Sequence, residues 1–438
     1  MRIQKSLLLL VTTCAIAVAQ SGPPGVKPKL VREVNDVARP QSNNLIAIVG
    51  ATLIDGRGGP VLADSVVLIR GEHIAAVGKR GSVSIPPAAE TVDGRGLTLL
   101  PGLIDSHFHI DGDDSLPALF LSHGVTSLRD PGQWIEAYDG ARKVTAPIPR
   151  LFLCGPHLDS PPPAYPADSF IVRDPEETRL AVSRFVDNGA SAIKVYFRLP
   201  LSLIKAAVDT AHARGVPVTA HLEIVDAGDA IRAGVDGIEH ATSFGTALMP
   251  VREAEKYRQA VLADNNARRD GRYQIWNTLD LNTSRAKSLF KLIVDRGTLV
   301  SPTLAVFERQ KGDKDTTDVH VHGFKQMENF VKLVHSAGAK VVVGSHSSVP
   351  HAKRGWAYQR ELELLVESGL SPMQAIVAAT SENARFFRAA DRLGTIEAGK
   401  LADLLMVDGD PSKNISDMRR VKRVMLNGRW VPAEAESN

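Results

Sequence analysis

The chain has 438 residues, of which 44% are hydrophobic, 23% charged and 5% aromatic. That balance excludes fibrous and disordered classes and leaves material for a large core. The formal charge is +3, and setting aside Arg2 and Lys5 of the leading segment leaves 50 basic against 49 acidic residues, so no electrostatic case exists for nucleic acid or an anionic membrane as a partner.

Residues 1–19 carry Arg2 and Lys5, an apolar run from Leu7 to Val18, and the small-x-small pattern Ala17-Val-Ala19. These features predict a cleaved signal peptide and export, periplasmic or secreted. The run is too short to span a bilayer, which takes about 20 residues. Cleavage removes Cys14 and leaves Cys154 alone, so no intrachain disulfide can form and stability must come from packing or metal. Residues 20–43 read as a flexible lead-in rich in Pro, Gly and Lys.

From residue 44 to 98 short β-rich runs, IAIVGATLIDGRG and SVVLIRGEHIAAVGK, are separated by glycine turns. Residues 99–390 then alternate apolar runs with amphipathic helical segments. The runs are LIDSH, GVTSLRD, RLFLCG, SAIKVYF, VPVTAH, VDGIEH, TLVSPT and KVVVGS. Eight of them predict a (β/α)8 barrel, with the charged, helical stretch from Met249 to Arg296 as an extended connection. Residues 391–432 return to strands, so both chain ends together predict one small β-sandwich beside an α/β TIM barrel.

The chemistry collects at the ends of the barrel strands, where such folds place active sites. Strand one runs into His107-Phe-His109, whose spacing of two sets both imidazoles on one side. Strands five and six end in His221 and His240, and strand eight leads to His346. Strand four carries Lys194 inside an apolar run, where a lysine is costly unless neutral, paired or modified. Any one of these residues alone has an ordinary structural explanation; their shared position at strand ends points to a metal site. Neutral imidazoles bind zinc and similar ions, which activate water and polarise carbonyls.

With those motifs, LLPGLIDSHFHI, HGVTSLRDPG, AIKVYF, TAHLE, AGVDGIEHATSFG and GTIEAGKLADLLMVDGDP, the chain resembles the amidohydrolase superfamily, near its imidazolonepropionase-like and prolidase-like branch. The resemblance implies one or two divalent ions, zinc first among them. His107 and His109 would bind the more buried ion and His221 and His240 the second, with Lys194 carboxylated by carbon dioxide as the bridge. It implies hydrolysis of a carbon–nitrogen bond in a small acylated amino acid or Xaa-Pro-like dipeptide.

One position departs from the pattern. The resemblance calls for aspartate after strand eight, but the residues there are Gly344-Ser345-His346-Ser347, and no Asp or Glu occurs from Lys340 to Arg360. His346 is therefore the candidate catalytic base, with an ordinary pKa near about 6.5 suited to the task. Two alternatives stand beside it: His346 as a plain ligand, and a metal-binding homologue with impaired turnover. Within enzymes a lactonase or esterase stays open. Tyr196 and Arg198 share a side of strand four if it continues and could meet a substrate carboxylate, while His351 and Trp356 lie in the loop after strand eight. The partner is a small molecule, and the sequence allows a homo-oligomer.

Overall fold

The computed structural model describes residues 31 and 33–432. The predicted export signal lies outside the described residues, as does most of the lead-in. The end of the lead-in is anchored rather than free. Val34 N–H donates to Leu151 O at 2.9 Å, and Asn35 exchanges hydrogen bonds with Pro149 O and Leu151 N–H.

Five strands come first: β1 (Leu45–Leu53), β2 (Leu62–Arg70), β3 (His73–Lys79), β4 (Glu90–Asp93) and β5 (Leu97–Pro101). β1 pairs β4 over Ile46–Val49 and β5 over Thr52–Leu53, with an irregularity between Val49 and Ala51. Gly50 sits at that break with φ +90, and a side chain there would meet Arg95 Cγ at 2.7 Å, so only glycine lets the strand change partners.

The barrel follows. Its strands are β6 (Leu103–Asp105), β7 (Val125–Leu128), β8 (Arg150–Leu151), β9 (His157–Asp159), with β10 (Ser169–Ile171) beside it, β11 (Ile193–Val195), β12 (Val218–Ala220), β13 (Gly237–Glu239) and β14 (Leu299–Ser301). β8 and β9 are separated by residues 152–156, where Phe152 and Cys154 still donate to Leu128 O and Asp130 O. The run 341–343 is the eighth strand, bridged to Val300. Pairing is parallel throughout. The ring closes where Ser106 N–H donates to Val343 O at 2.9 Å and Asn383 Nδ2 donates to the same carbonyl. Val342 and Val343 are fully buried, each contributing about 1.5–3 kcal/mol of burial free energy.

After the barrel, β15 (Leu404–Asp408), β16 (Val421–Leu426) and β17 (Arg429–Trp430) extend the first sheet in the order β17-β16-β15-β5-β1-β2-β3. Both chain ends thus build one eight-stranded module, as expected, with its own core around Ile48, Val67, Leu99 and Met406.

Candidate metal centre

The chain leaves β6 at Asp105, whose buried carboxylate accepts the backbone N–H of His107 at 3.0 Å and of Ser345 at 2.9 Å. One side chain therefore clamps the end of strand one to the end of strand eight. Burial pushes its pKa up to about 6. On that clamp the His-x-His pair faces inward as the spacing predicts, with the two Nε2 atoms 3.0 Å apart. His346 N–H donates to His107 O at 2.6 Å. The His346 ring stacks on His107 with centroids 5.1 Å apart and stands 4.8 Å from His109. One ligand atom from each of these three imidazoles lies within 4.8 Å of the others.

The outward nitrogens are held. His109 Nδ1 is 3.3 Å from Asp130, whose other oxygen accepts from Tyr138 OH at 2.8 Å. His240 Nδ1 is 2.7 Å from Thr303 Oγ1. His221 Nε2 is 3.4 Å from Glu223, which accepts from Tyr257 OH. Such outer contacts fix ring orientation and tautomer. Burial drives His107, His240 and His346 well below the usual histidine range, and His221 down to about 4. Burial works against His109 as well, but the charge of Asp130 and the contact with it outweigh that and raise the group. The corner is thus rich in neutral imidazoles, the form that donates a lone pair to a metal. The donor set fits a divalent ion at His107, His109 and His346.

Lys194 is buried on β11, with its Nζ against the Glu239 carboxylate of β13. Burial lowers its pKa to about 7. The charges of Cys154 and Asp130 act in the opposite sense. Glu239 also stands 3.2 Å from His107 Nδ1 and accepts from Thr219 Oγ1 at 2.8 Å. Strict alternation along β13 would send Glu239 and His240 to opposite faces. His240 instead adopts φ +68, so two consecutive residues reach His107, one by its carboxylate and one by a ring 4.7 Å away. His346 (φ +60), Ser347 (φ +59) and Thr303 (φ +46) share this left-handed backbone. Backbone strain of about 1–3 kcal/mol per residue concentrated around one corner is typical of functional sites.

The sequence singled out His107, His109, Lys194, His221, His240 and His346, and all six line one cavity of about 700 Å³. Tyr196 lines it too. Arg198 does not follow: the strand stops at Val195, the alternation lapses, and the guanidinium turns to Asn265 Oδ1 and Val261 O. His351 pairs with Asp313, and Trp356 stacks on His123, both away from the cavity. The sequence reading missed Glu239, Asp130, Thr303 and Glu223, which act through tertiary contacts. For Glu239 and Glu223 the adjacency to histidine in VDGIEH and TAHLE was the available signal.

Residues 98–431 match the model of the amidohydrolase family. An uncharacterized protein of Mycobacterium tuberculosis is 25% identical over 386 residues, covering 80% of this chain and 90% of that protein. An N-acyl-D-aspartate deacylase of Alcaligenes xylosoxydans is 40% identical over 102 residues, 22% of this chain and only 19% of the deacylase. Among solved structures, a Xaa-Pro dipeptidase with bound methionine superposes with a TM-score of 0.69 at 24% identity, over 88% of this chain and 99% of that one. The Aspergillus niger ochratoxinase gives 0.68 at 20%, over 89% and 96%. At these identities the superpositions establish the fold.

Proposed function

The chain belongs to the amidohydrolase family, an enzyme family acting on carbon–nitrogen bonds, and on that premise we propose that it cleaves the amide bond of a small acylated amino acid or Xaa-Pro-like dipeptide. The observation that carries the proposal is the convergence of three imidazoles, from strand ends more than 200 residues apart, at the floor of a cavity sized for a small molecule. His107 and His109 would hold one ion, zinc suiting an imidazole-rich set, and His221, His240 and a carboxylated Lys194 a second, with His346 beside the first pair as the base. When bound, such ions lower the pKa of water toward neutrality and polarise a carbonyl.

The chain's own residues supply the rest. Asp130 and Thr303 hold the outward nitrogens of His109 and His240, leaving the inward ones free. His346 stands beside His107 and His109, where one of its ring nitrogens would take a proton from the attacking water and return it to the leaving nitrogen.

The test is an assay of purified protein with zinc or manganese and bicarbonate against N-acyl amino acid and Xaa-Pro panels, with metal content by elemental analysis. We expect two ions per chain, turnover of at least one compound, and a loss of about 100-fold or more in His346→Ala. No turnover on any member overturns the hydrolase reading. The lack of a carboxylate on the eighth-strand turn favours a second reading, an impaired homologue. Activity that appears only in His346→Asp would establish it.

A further inference from the structure

Three arginines over the mouth of this cavity form no close ion pair among the described residues, although Asp159 feels the charge of Arg268, Glu223 that of Arg272 and Asp313 that of Arg309. Two, Arg268 and Arg272, stand one turn apart on the helix Ala267–Thr278, within the long connection between strands six and seven. The third, Arg309, follows strand seven. All three line the cavity that holds the imidazoles. Among the described residues none of them forms an ion pair, although Asp111, Asp168, Asp270 and Asp315 line the same space. Elsewhere buried Arg150 pairs with Glu33 and Asp403 and partly buried Arg360 with Glu308, while Arg129, fully buried against Phe386 and Phe387 and outside this cavity, has no ion pair among the described residues.

Arg268 is the most telling. It is 3% exposed, and its Nε has no hydrogen-bond partner. Its remaining bonds go to neutral groups, Asn265 O at 2.6 Å and Tyr165 OH at 2.8 Å. The guanidinium is stacked 5.1 Å from the centre of the Phe197 ring and 5.4 Å from that of Tyr165, which orients it. Arg272 spends only its Nε, on Arg268 O at 3.0 Å, and lies over Phe307. It lines the same cavity as His240, His221 and His346. Arg309 lies over the Tyr273 ring. Burying a guanidinium without an anion is costly, and aromatic stacking recovers only part of that cost.

We propose that Arg268, Arg272 and Arg309 form the subsite for an anionic group of the substrate, a carboxylate on the leaving-group side of the scissile amide. The enzyme would then select free acids over their neutral amides or esters. A planar carboxylate matches the forked geometry of arginine donors, and a dry, aromatic-walled setting strengthens the contact. This assignment rests on the amide-hydrolase reading and names the residues that would meet the free carboxylate of such substrates.

The test uses 3-benzoylpropionate, a ketone isostere of N-benzoylglycine that cannot be hydrolysed, and its primary amide, titrated calorimetrically into the metal-loaded full chain. We expect the acid to bind about 30-fold or more tighter than the amide. In Arg272→Met that preference should fall about tenfold or more through loss of acid binding alone, with Arg309→Met as an independent variant should the first fold poorly. Equal binding of acid and amide overturns the proposal, as does an undiminished preference in both variants or no binding of either probe at millimolar concentration. Acid binding that depends on these arginines in a protein that hydrolyses nothing in the panels would keep the subsite and sink the amidase reading. Turnover without acid preference would do the reverse.

Discussion

Asp130→Asn tests the site without depending on turnover. The carboxylate is fully buried and accepts five contacts. Oδ1 faces His109 Nδ1 at 3.3 Å, Gly132 N–H at 3.0 Å and Gln133 N–H at 3.2 Å; Oδ2 faces Tyr138 OH at 2.8 Å and Ile110 N–H at 3.2 Å. An asparagine places an NH2 group on one side or the other. Turned toward Oδ1 it opposes two backbone donors and the imidazole; turned toward Oδ2 it opposes only Ile110, since the Tyr138 hydroxyl can rotate to accept. The second orientation wins, leaving one buried N–H unsatisfied, at about 1–3 kcal/mol of stability. His109 keeps an acceptor but loses the negative charge behind it. Outer contacts of this kind are worth about 10- to 100-fold in metal affinity, or about 1.4–2.8 kcal/mol. Competition with a chelating dye measures that affinity, and urea unfolding of the same sample measures stability. A folded variant binding zinc within about twofold of the parent would refute the argument that Asp130 aims His109.

Three further predictions follow from the geometry. In Gly344→Ala the new Cβ would lie 2.5 Å from His107 Cβ and 3.0 Å from Ser301 Oγ, so His107 must move; we expect a stability loss of about 1–3 kcal/mol and weakened metal binding, read by unfolding and elemental analysis. Arg150→Met leaves buried Asp403 without its ion-pair partner and Glu33 with Arg392 alone, and chemical denaturation should show a loss of about 3–5 kcal/mol. Burial holds the pKa of Glu361 up at about 8 against an ordinary value of 4.5. Between those values the folded state binds the extra proton, so this group makes stability fall as pH rises, by up to about 1.4 kcal/mol per unit. Glu361→Gln should flatten that slope between pH 5 and 8, and an unchanged slope would mean the carboxyl is ionised in the fold.

The barrel was legible because each strand is an apolar run buried on both faces, and because its polar residues fall just where the run ends. LIDSHFH announces itself in that way; the alternation through His107 and His109 survives as the chain leaves the strand. Alternation failed at two places for the same reason: the backbone departs from extended geometry. At Tyr196 the strand ends, which separates Arg198 from the cavity. At His240 the left-handed residue folds Glu239 and His240 toward a common neighbour, a juxtaposition that no period of two encodes. The helices between Val251 and Thr278 were legible as helices, but what they cover depends on how they lie over the barrel. Hydrophobic pattern does not carry that information, and Arg268 and Arg272 fell within a stretch legible only as charged and helical.

The shared sheet also sets an order of events during synthesis. β5 is flanked on one side by β1, its near neighbour, and on the other by β15, with Thr98 bonded to Gly409 across 311 residues. Until those last strands leave the ribosome, at about 5–20 residues per second, β5 presents an unpaired edge for roughly 15 to 60 seconds while the entire barrel is made. Exposed edges recruit other chains. Chaperone demand and self-association in this protein should therefore be decided by how quickly its final strands arrive, and a nascent chain stalled before Leu404 would be sticky even with its barrel complete.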